Sequence, residues 1–492
     1  MLKRKFIFFL LLFCNACSEV DHSSIRFALS AAPVTLDPRY ATDAMSQRIN
    51  RLIYSQLIDF DDHYHVIPSL ARWEKLEPDH YRFHLSEQGR TFHNGARLTA
   101  DDVKETFNFI LDNKNASPHR ETMLIISDMQ VVDDDTIDFY LNEPDPLFPG
   151  RLRIGILPAK LIASGHPFNQ QPIGSGPLKF ISWPEEGNLK LQRLADQQTI
   201  QFITVKDATV RVLKLLNGEV DLLQGELPQE LVKWLGEKQQ VTINKARGDT
   251  FTYIGFNLDD SLTGNHDIRR AIALALDRDL IIKYMFDNSA RTAGSLLPPE
   301  HWAGHTSLHG YEYNPQEARK ILQQMGYDQD NPLKLTYKTS NNPLRVRLAT
   351  IIQFQLQQVG IDLELKSYDW GTFYGDIKAG NFQVYSLSWV GLKMPDIFRN
   401  VFYSESVPPA GANRGRFHNN EVDNLIVQAA TYEDLDEQVV LYTRLQEILH
   451  EQLPYIPLWY EDNILVTRNN IDGYKMATDG NYDGLVTVQR HN

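Results

Sequence analysis

The sequence predicts an α/β fold containing a parallel sheet and divided into two or three domains. Three observations carry that prediction. Between Leu333 and Leu365 an alternating strand ("LKLTY"), a helix and a second alternating strand ("IDLEL") follow one another. Strands joined through a helix pair in parallel, because the crossover returns the chain to the same end of the sheet. The run Phe382 to Trp389, apolar on both faces, supplies a buried neighbouring strand. At 492 residues the chain also exceeds one ordinary hydrophobic core.

From the N-terminus, "MLKRKFIFFLLLFCNAC" has a basic start and an apolar run, Phe6 to Phe13, with Ala16 before Cys17. That run is shorter than the roughly 20 residues a bilayer requires, so it reads as an export signal. Both cysteines, Cys14 and Cys17, lie here, so the remainder has no disulfide framework and no thiol nucleophile. A cysteine directly after the apolar run resembles a bacterial lipoprotein box, with Cys17 the acylated residue. The residues before it, Cys14, Asn15 and Ala16, depart from the usual Leu–small–Gly/Ala pattern, and a plain signal peptide cut nearby is the alternative. Ser18 after the cysteine favours outer-membrane sorting in a Gram-negative host.

Next, a short alternating strand leads to Pro33 and Pro38, and a helix follows with Ile49, Leu52, Ile53 and Leu57 at helical spacing. Tyr81, Phe83 and Leu85 alternate as a half-exposed strand, and Asn94-Gly95 signals a turn. Thr99 caps a helix with Asp102 three residues on, and Val103, Phe107 and Ile110 form its apolar stripe. "QPIGSGPLKFISW" is no dinucleotide fingerprint, since Pro177 and a strand follow Gly174 and Gly176; it reads as a tight turn between lobes. In the βαβ unit the helix runs from about Leu344 to Val359, with Ala349, Ile352, Leu356 and Val359 on one face and Gly360 as its stop.

Formal charge is −14, and −17 without the three basic residues of the first 16, which argues against nucleic acid as a partner. Catalytic patterns fail on inspection. "HEQLP" at His450 and Glu451 has Pro454 where a zinc protease needs histidine, and there is neither a G-x-S-x-G elbow nor a P-loop. His63 and His65 in "DDHYHVIP" lack a third ligand at metal spacing and read as a solvated turn. No enzyme, metal or cofactor is expected; a glycosidase carboxylate pair is not excluded, but nothing singles one out.

The ordered segments "TLDPRYATDAMSQRINRLIYSQLI", "YRFHLSEQGRTFHNGARLTADDVKETFNFI", "PIGSGPLKF", "YIGFNLDDSLTGNHDIRRAIALALDRDLII" and "GRFHNNEVDNLIVQA" carry a resemblance. The chain resembles the bacterial extracellular solute-binding proteins of family 5, which serve peptide, dipeptide and nickel ABC transporters. The resemblance implies a two-lobed periplasmic-binding-protein fold (type II, cluster C-like) with an inserted third domain and a ligand cleft between lobes. After a signal peptide at 1–16, lobe I would comprise 22–54, 171–256 and 468–492, the inserted domain 55–170 and lobe II 257–467. It implies a monomer, periplasmic or in the cell envelope and anchored through Cys17. The monomer would deliver an oligopeptide or related small solute to ABC permease subunits. An exported module uncoupled from transport (sensor, chaperone or adhesin) and a receptor for a non-peptide ligand are the alternatives, with a hydrolase behind them.

Peptide binders of this family meet the ligand ammonium with an aspartate three residues after the strand-ending tryptophan. Here that tryptophan is Trp389 and the position holds Leu392, followed by Lys393, with an acid only at Asp396. Three readings stay open: Asp396 substitutes, the peptide is anchored elsewhere, for instance by Asp43, or the ligand presents no amine and Lys393 faces a carboxylate or phosphate. Alternatively Lys393 points to solvent and Leu392 packs. By segment, the resemblance adds Thr42, His119, Arg120, Asn413 and Arg414 as ligand-binding candidates, with Trp389 stacking on the ligand backbone, walling the pocket or serving as core. Tyr253, Phe256 and Asn257 read as hinge or core.

Overall fold

Two long antiparallel strands, Val241–Phe256 and Tyr455–Arg468, run through the centre of an 11-stranded sheet. In the computed structural model, which describes residues 24–184, 187–225 and 227–491, they pair from Val241↔Arg468 to Gly255↔Tyr455. The ladder slips between Ala246 and Thr250. Such a bulge sharpens twist, and here it separates two groups of strands. On one side of the long pair stand Val384–Trp389, Leu333–Ser340 and Ile361–Tyr368; on the other stand Leu222–Gln224, Ser24–Leu29, Thr199–Thr204, Asn188–Arg193 and Leu178–Ser182. The signal segment and Cys17 lie outside the described residues.

The βαβ unit is present. Leu333–Ser340 and Ile361–Tyr368 pair in parallel from Leu333↔Ile361 to Ser340↔Tyr368, with the helix Pro343–Gln357 between them. Ala349, Ile352, Leu356 and Val359 are all buried. The run ending on Trp389 is the neighbour of Leu333–Ser340, but it corrects the expectation of full burial. It begins at Val384, and from Ser386 onward its side chains are half-exposed because the strand leads into a cavity. Ser24–Leu29 is corrected in the opposite sense: all six residues are buried, since it pairs in parallel on both edges inside the sheet.

Asp43 caps the helix Ala44–Ile53 by accepting from the Ser46 N–H at 2.9 Å. Ile49, Leu52 and Ile53 are buried on one face, but Leu57 is not on this helix. Tyr54 is already extended (φ −118°, ψ 135°), and Leu57 packs in a different core with Phe83 and Phe107. That core fills a four-stranded antiparallel sheet ordered Ala71–Glu77, His80–Leu85, Thr136–Leu141 and Ile126–Asp133. The helix Ala100–Leu111 covers it, and the Thr99 N–H donates to the Asp102 carboxylate at 2.7 Å. The final segment returns to Ser24–Leu29, where the Tyr482 ring meets that of Phe27 at 4.7 Å. This contact brings Asp479 and Asn481 to the site described next.

Candidate ligand cavity

A cavity of about 540 Å³ is walled by five stretches that are distant in sequence. Its floor is the second face of the helix Ala44–Ile53: Ala44, Gln47, Arg48 and Arg51, at helical spacing, line it while Ile49, Leu52 and Ile53 face the core. The loop before the helix contributes Pro38, Ala41 and Thr42, and the stretch after it Gln56, Asp59 and Phe60; further walls are His119, Thr122 and Met123, then Arg151 with Arg153 to Gly155, then Ser388, Val390, Gly391, Lys393, Met394 and Asp396, and finally Asp479 with Asn481. Immediately after Trp389 and Val390, Gly391 takes φ +65°. The chain thereby leaves the sheet line and runs along the wall.

Ion pairs organise the walls. Arg51 holds Asp59 at 2.6 Å and Asp483 at 2.9 Å. Arg151 holds Asp145 at 2.6 Å and Asp396 at 2.9 Å. The Lys393 ammonium donates to Asp479 at 2.7 Å and lies 5.0 Å from the Tyr64 ring centre. Behind it, at the bulge of the long strand, Asp249 is 2 % exposed and accepts from the Tyr64 hydroxyl at 3.1 Å. Burial pushes the Asp249 carboxyl up to about 6, against the pull of Lys393. Burial acts in the same sense on Asp479, but the Lys393 ammonium, the Asn481 N–H and Arg51 together outweigh it, and the Asp479 carboxyl lies below its ordinary value. His301 stacks on Tyr64 at 4.9 Å and pairs with the Lys393 carbonyl at 3.2 Å; burial lowers its imidazole to about 3, so it is neutral. Burial also lowers His119.

Of the residues singled out from the sequence, Thr42, His119, Lys393 and Asp396 line the cavity. Asp43 is not in the wall; its carboxylate caps the helix. Arg120 donates to the Leu111 carbonyl at 2.9 Å and pairs with Glu121. Leu392 is 8 % exposed and packs in the core with Phe398 and Tyr442. The Asn413 amide donates to the Tyr403 and Phe417 carbonyls and is 1 % exposed. Arg414 is buried with its guanidinium 4.9 Å from the Trp389 ring centre, donating to the hydroxyls of Tyr253 and Tyr374. Trp389 is thus stacked under a protein cation. Tyr253 and Phe256 are fully buried, and the Asn257 N–H donates to the Gln383 carbonyl. His65 meets Asp61 at 3.3 Å and stacks on Trp302; among the described residues no three His, Cys, Asp or Glu side chains are placed to share a metal ion.

Sequence reasoning missed Arg48, Arg51, Arg151, Arg153 and Asp479. A signal existed for the two arginines of "LFPGRLRIGILP", where two cations interrupt an apolar run whose neighbours Leu152, Ile154 and Ile156 are buried. The helix cations were legible as the complement of the apolar stripe. Asp479 carries no local signal.

A sequence model of the bacterial extracellular solute-binding proteins, family 5 Middle, matches residues 65–407. Di/tripeptide-binding protein 2 of Pseudomonas aeruginosa (strain UCBPP-PA14) is 27 % identical, over 94 % of this chain and 94 % of that protein. The ABC transporter-associated periplasmic binding protein DppA from Helicobacter pylori, solved with the peptide STSA, superposes with a TM-score of 0.81 at 26 % identity, over 95 % of this chain and 98 % of that one. NikZ from Campylobacter jejuni, solved with Ni(L-His), gives a TM-score of 0.82 at 24 % identity, over 95 % and 99 %. The fold is therefore the two-lobed α/β architecture of periplasmic solute-binding proteins of cluster C. The chain belongs to the bacterial extracellular solute-binding proteins, family 5.

Proposed function

We propose that this protein is the exported receptor of an ABC transporter, taking a short peptide or peptide-like solute into the cavity and presenting it to the permease subunits. One observation carries the reading. The cavity is walled by residues from 38–60, 119–123, 151–155, 388–396 and 479–481, so enclosing a ligand draws on both proposed lobes and the inserted segment at once. Its volume lies within the roughly 300–1,000 Å³ typical of small-molecule sites. The printed names of the relatives, among them the di/tripeptide-binding protein and the peptide complex of DppA, support the peptide class.

The lobes are proposed as 22–54 with 171–256 and 468–492, and 257–467, with 55–170 inserted. The hydrophobic clusters support this division: Ile25 and Phe27 share a core with Phe202, Leu222 and Leu485, while Phe83 and Phe139 share another. Leu157 and Phe168 already pack with the first of these. The bulge beside Asp249 is the place where the two sheet halves can rotate. Acylation at Cys17 would hold the receptor at the membrane; no helix among the described residues is long and apolar enough to cross one.

The test is native mass spectrometry of the purified protein, expecting one solute per chain, with Ala44→Trp as the blocked control. Ala44 is an exposed wall position, so the larger side chain fills the cavity without disturbing the core. Solute retained by the blocked variant refutes the site. Failure of liganded protein to stimulate the ATPase of its reconstituted permease refutes coupling and leaves an exported binding module.

A further inference from the structure

We infer that the cavity is built for a solute that brings a negative charge, a carboxylate or phosphate, to Arg153 and Arg48, and not for one held by its amine. The inference deepens the proposed function and rests on it. Every carboxylate of the wall is already engaged: Asp59 by Arg51, Asp396 by Arg151 and Asp479 by Lys393. The backing acids Asp483 and Asp145 are spent on the same two arginines, and Asp249 stands behind Lys393, outside the wall. An ammonium entering here finds no free acid, and the position after Trp389, Val390 and Gly391 offers a buried leucine.

The cations are in the opposite condition. Arg153 lines the cavity with substantial accessible surface, and neither its guanidinium nor that of Arg48 has an ion-pair partner among the described residues. Arg48 lies 5.4 Å from the Tyr482 ring centre, a stacking contact that orients the guanidinium without neutralising it. The surrounding protein and the neighbouring Arg151 lower the pKa of Arg153, and Asp396 and Asp479 do not make up the deficit. A cation left uncompensated in a ligand cavity is balanced when the ligand supplies the counter-charge. A guanidinium binds carboxylate or phosphate through two parallel N–H donors, so the preference is geometric as well as electrostatic. An ammonium there meets repulsion instead.

The test exposes the purified protein to a tripeptide library prepared free, N-acetylated and C-amidated, with succinate and inorganic phosphate as non-peptide arms, and reads bound mass. We expect free and acetylated peptides to be captured alike. C-amidation of peptides without acidic side chains, or Arg153→Gln, should weaken capture at least about tenfold, with Arg153→Lys restoring part of it and Arg48→Gln weakening it less. The ligand-free Arg153→Gln protein should melt no lower than wild type, because an unpaired charge is removed; a lower melting point assigns Arg153 a structural role and overturns the inference. Capture abolished by acetylation and indifferent to amidation also overturns it, while leaving the solute-receptor reading intact. Arg153-dependent capture only in the succinate or phosphate arm upholds the inference, removes peptide from the reading and tells the two anions apart. No capture in any arm overturns both.

Discussion

Asp249→Asn offers a direct measurement of the electrostatics behind the cavity. Asp249 is 2 % exposed; one carboxylate oxygen accepts from Tyr64 and the other is buried without a partner. Its carboxyl is raised from 3.8 to about 6, chiefly by burial. That rise corresponds to about 3 kcal/mol of preference for the protonated form in the folded state. The sign follows: with the folded value above the unfolded one, this group's contribution to stability is complete below the unfolded value, is lost as pH rises through about 6, and stays lost beyond it. Asparagine keeps an acceptor for Tyr64 but leaves a buried amide unsatisfied, at about 1 kcal/mol or more at every pH. The variant is therefore expected to be less stable than wild type by about 1 kcal/mol near pH 4 and more stable by about 2 kcal/mol near pH 8. His301 and Asp479 titrate in both proteins and largely cancel in the difference. Urea unfolding of the pair across that range reads it directly. A difference that stays flat with pH would refute the assignment of an ionisable, uncompensated carboxyl to this position.

Three further substitutions test the site. Leu392→Asp restores an acid at the position where peptide binders of the family carry one, but this side chain is in the core. We expect a loss of about 3 kcal/mol or more in urea unfolding and no new dependence of binding on a free peptide amine; such a dependence would show that the side chain reaches the ligand. Asp396→Asn leaves Arg151 paired with Asp145 at 2.6 Å and should cost about 1 kcal/mol, because the lost partner is partly exposed. Gly174→Ala puts a methyl group 2.1 Å from the Ile53 carbonyl oxygen, which cannot yield without moving the helix end. A loss of more than about 2 kcal/mol is expected, and a neutral result would mean that this approach is not close.

The βαβ unit was readable because period and stop signal agree: the apolar spacing of Ala349, Ile352 and Leu356 runs out at Gln357, just before Gly360. Leu57 was misplaced because Ile49, Ile53 and Leu57 keep a spacing of four past the helix end, and nothing in composition announces that Tyr54 turns extended. At the site, Lys393 and Asp396 were reachable by comparing one turn with a family pattern. Which charges are free was not, because it depends on pairs such as Lys393–Asp479 and Arg51–Asp483, whose members lie 86 and 432 residues apart. Pairing across such separations is a property of the closed fold, and no window of sequence contains it.

That pairing also changes what the turn after Trp389 delivers. Lys393–Asp479 and Asp396–Arg151 join walls from separate parts of the chain, and behind them Tyr64 stacks on His301, using protein groups alone. In the proposed two-lobed reading they favour the enclosed arrangement whether or not a solute is present, so ligand and latch would contribute to one equilibrium. Lys393→Gln removes the cation from Asp479, which is 9 % exposed in its side chain, and weakens the enclosed state. Because apparent affinity scales with the fraction of molecules competent to bind, every ligand should lose affinity by the same factor, about tenfold for each 1.4 kcal/mol of latch energy once the open form dominates. Arg153→Gln, by contrast, should penalise only ligands that bring an anion. Titration of both variants with free, acetylated and amidated peptides separates the two roles. A Lys393→Gln loss confined to carboxylate-bearing ligands would make Lys393 a ligand contact instead of a latch.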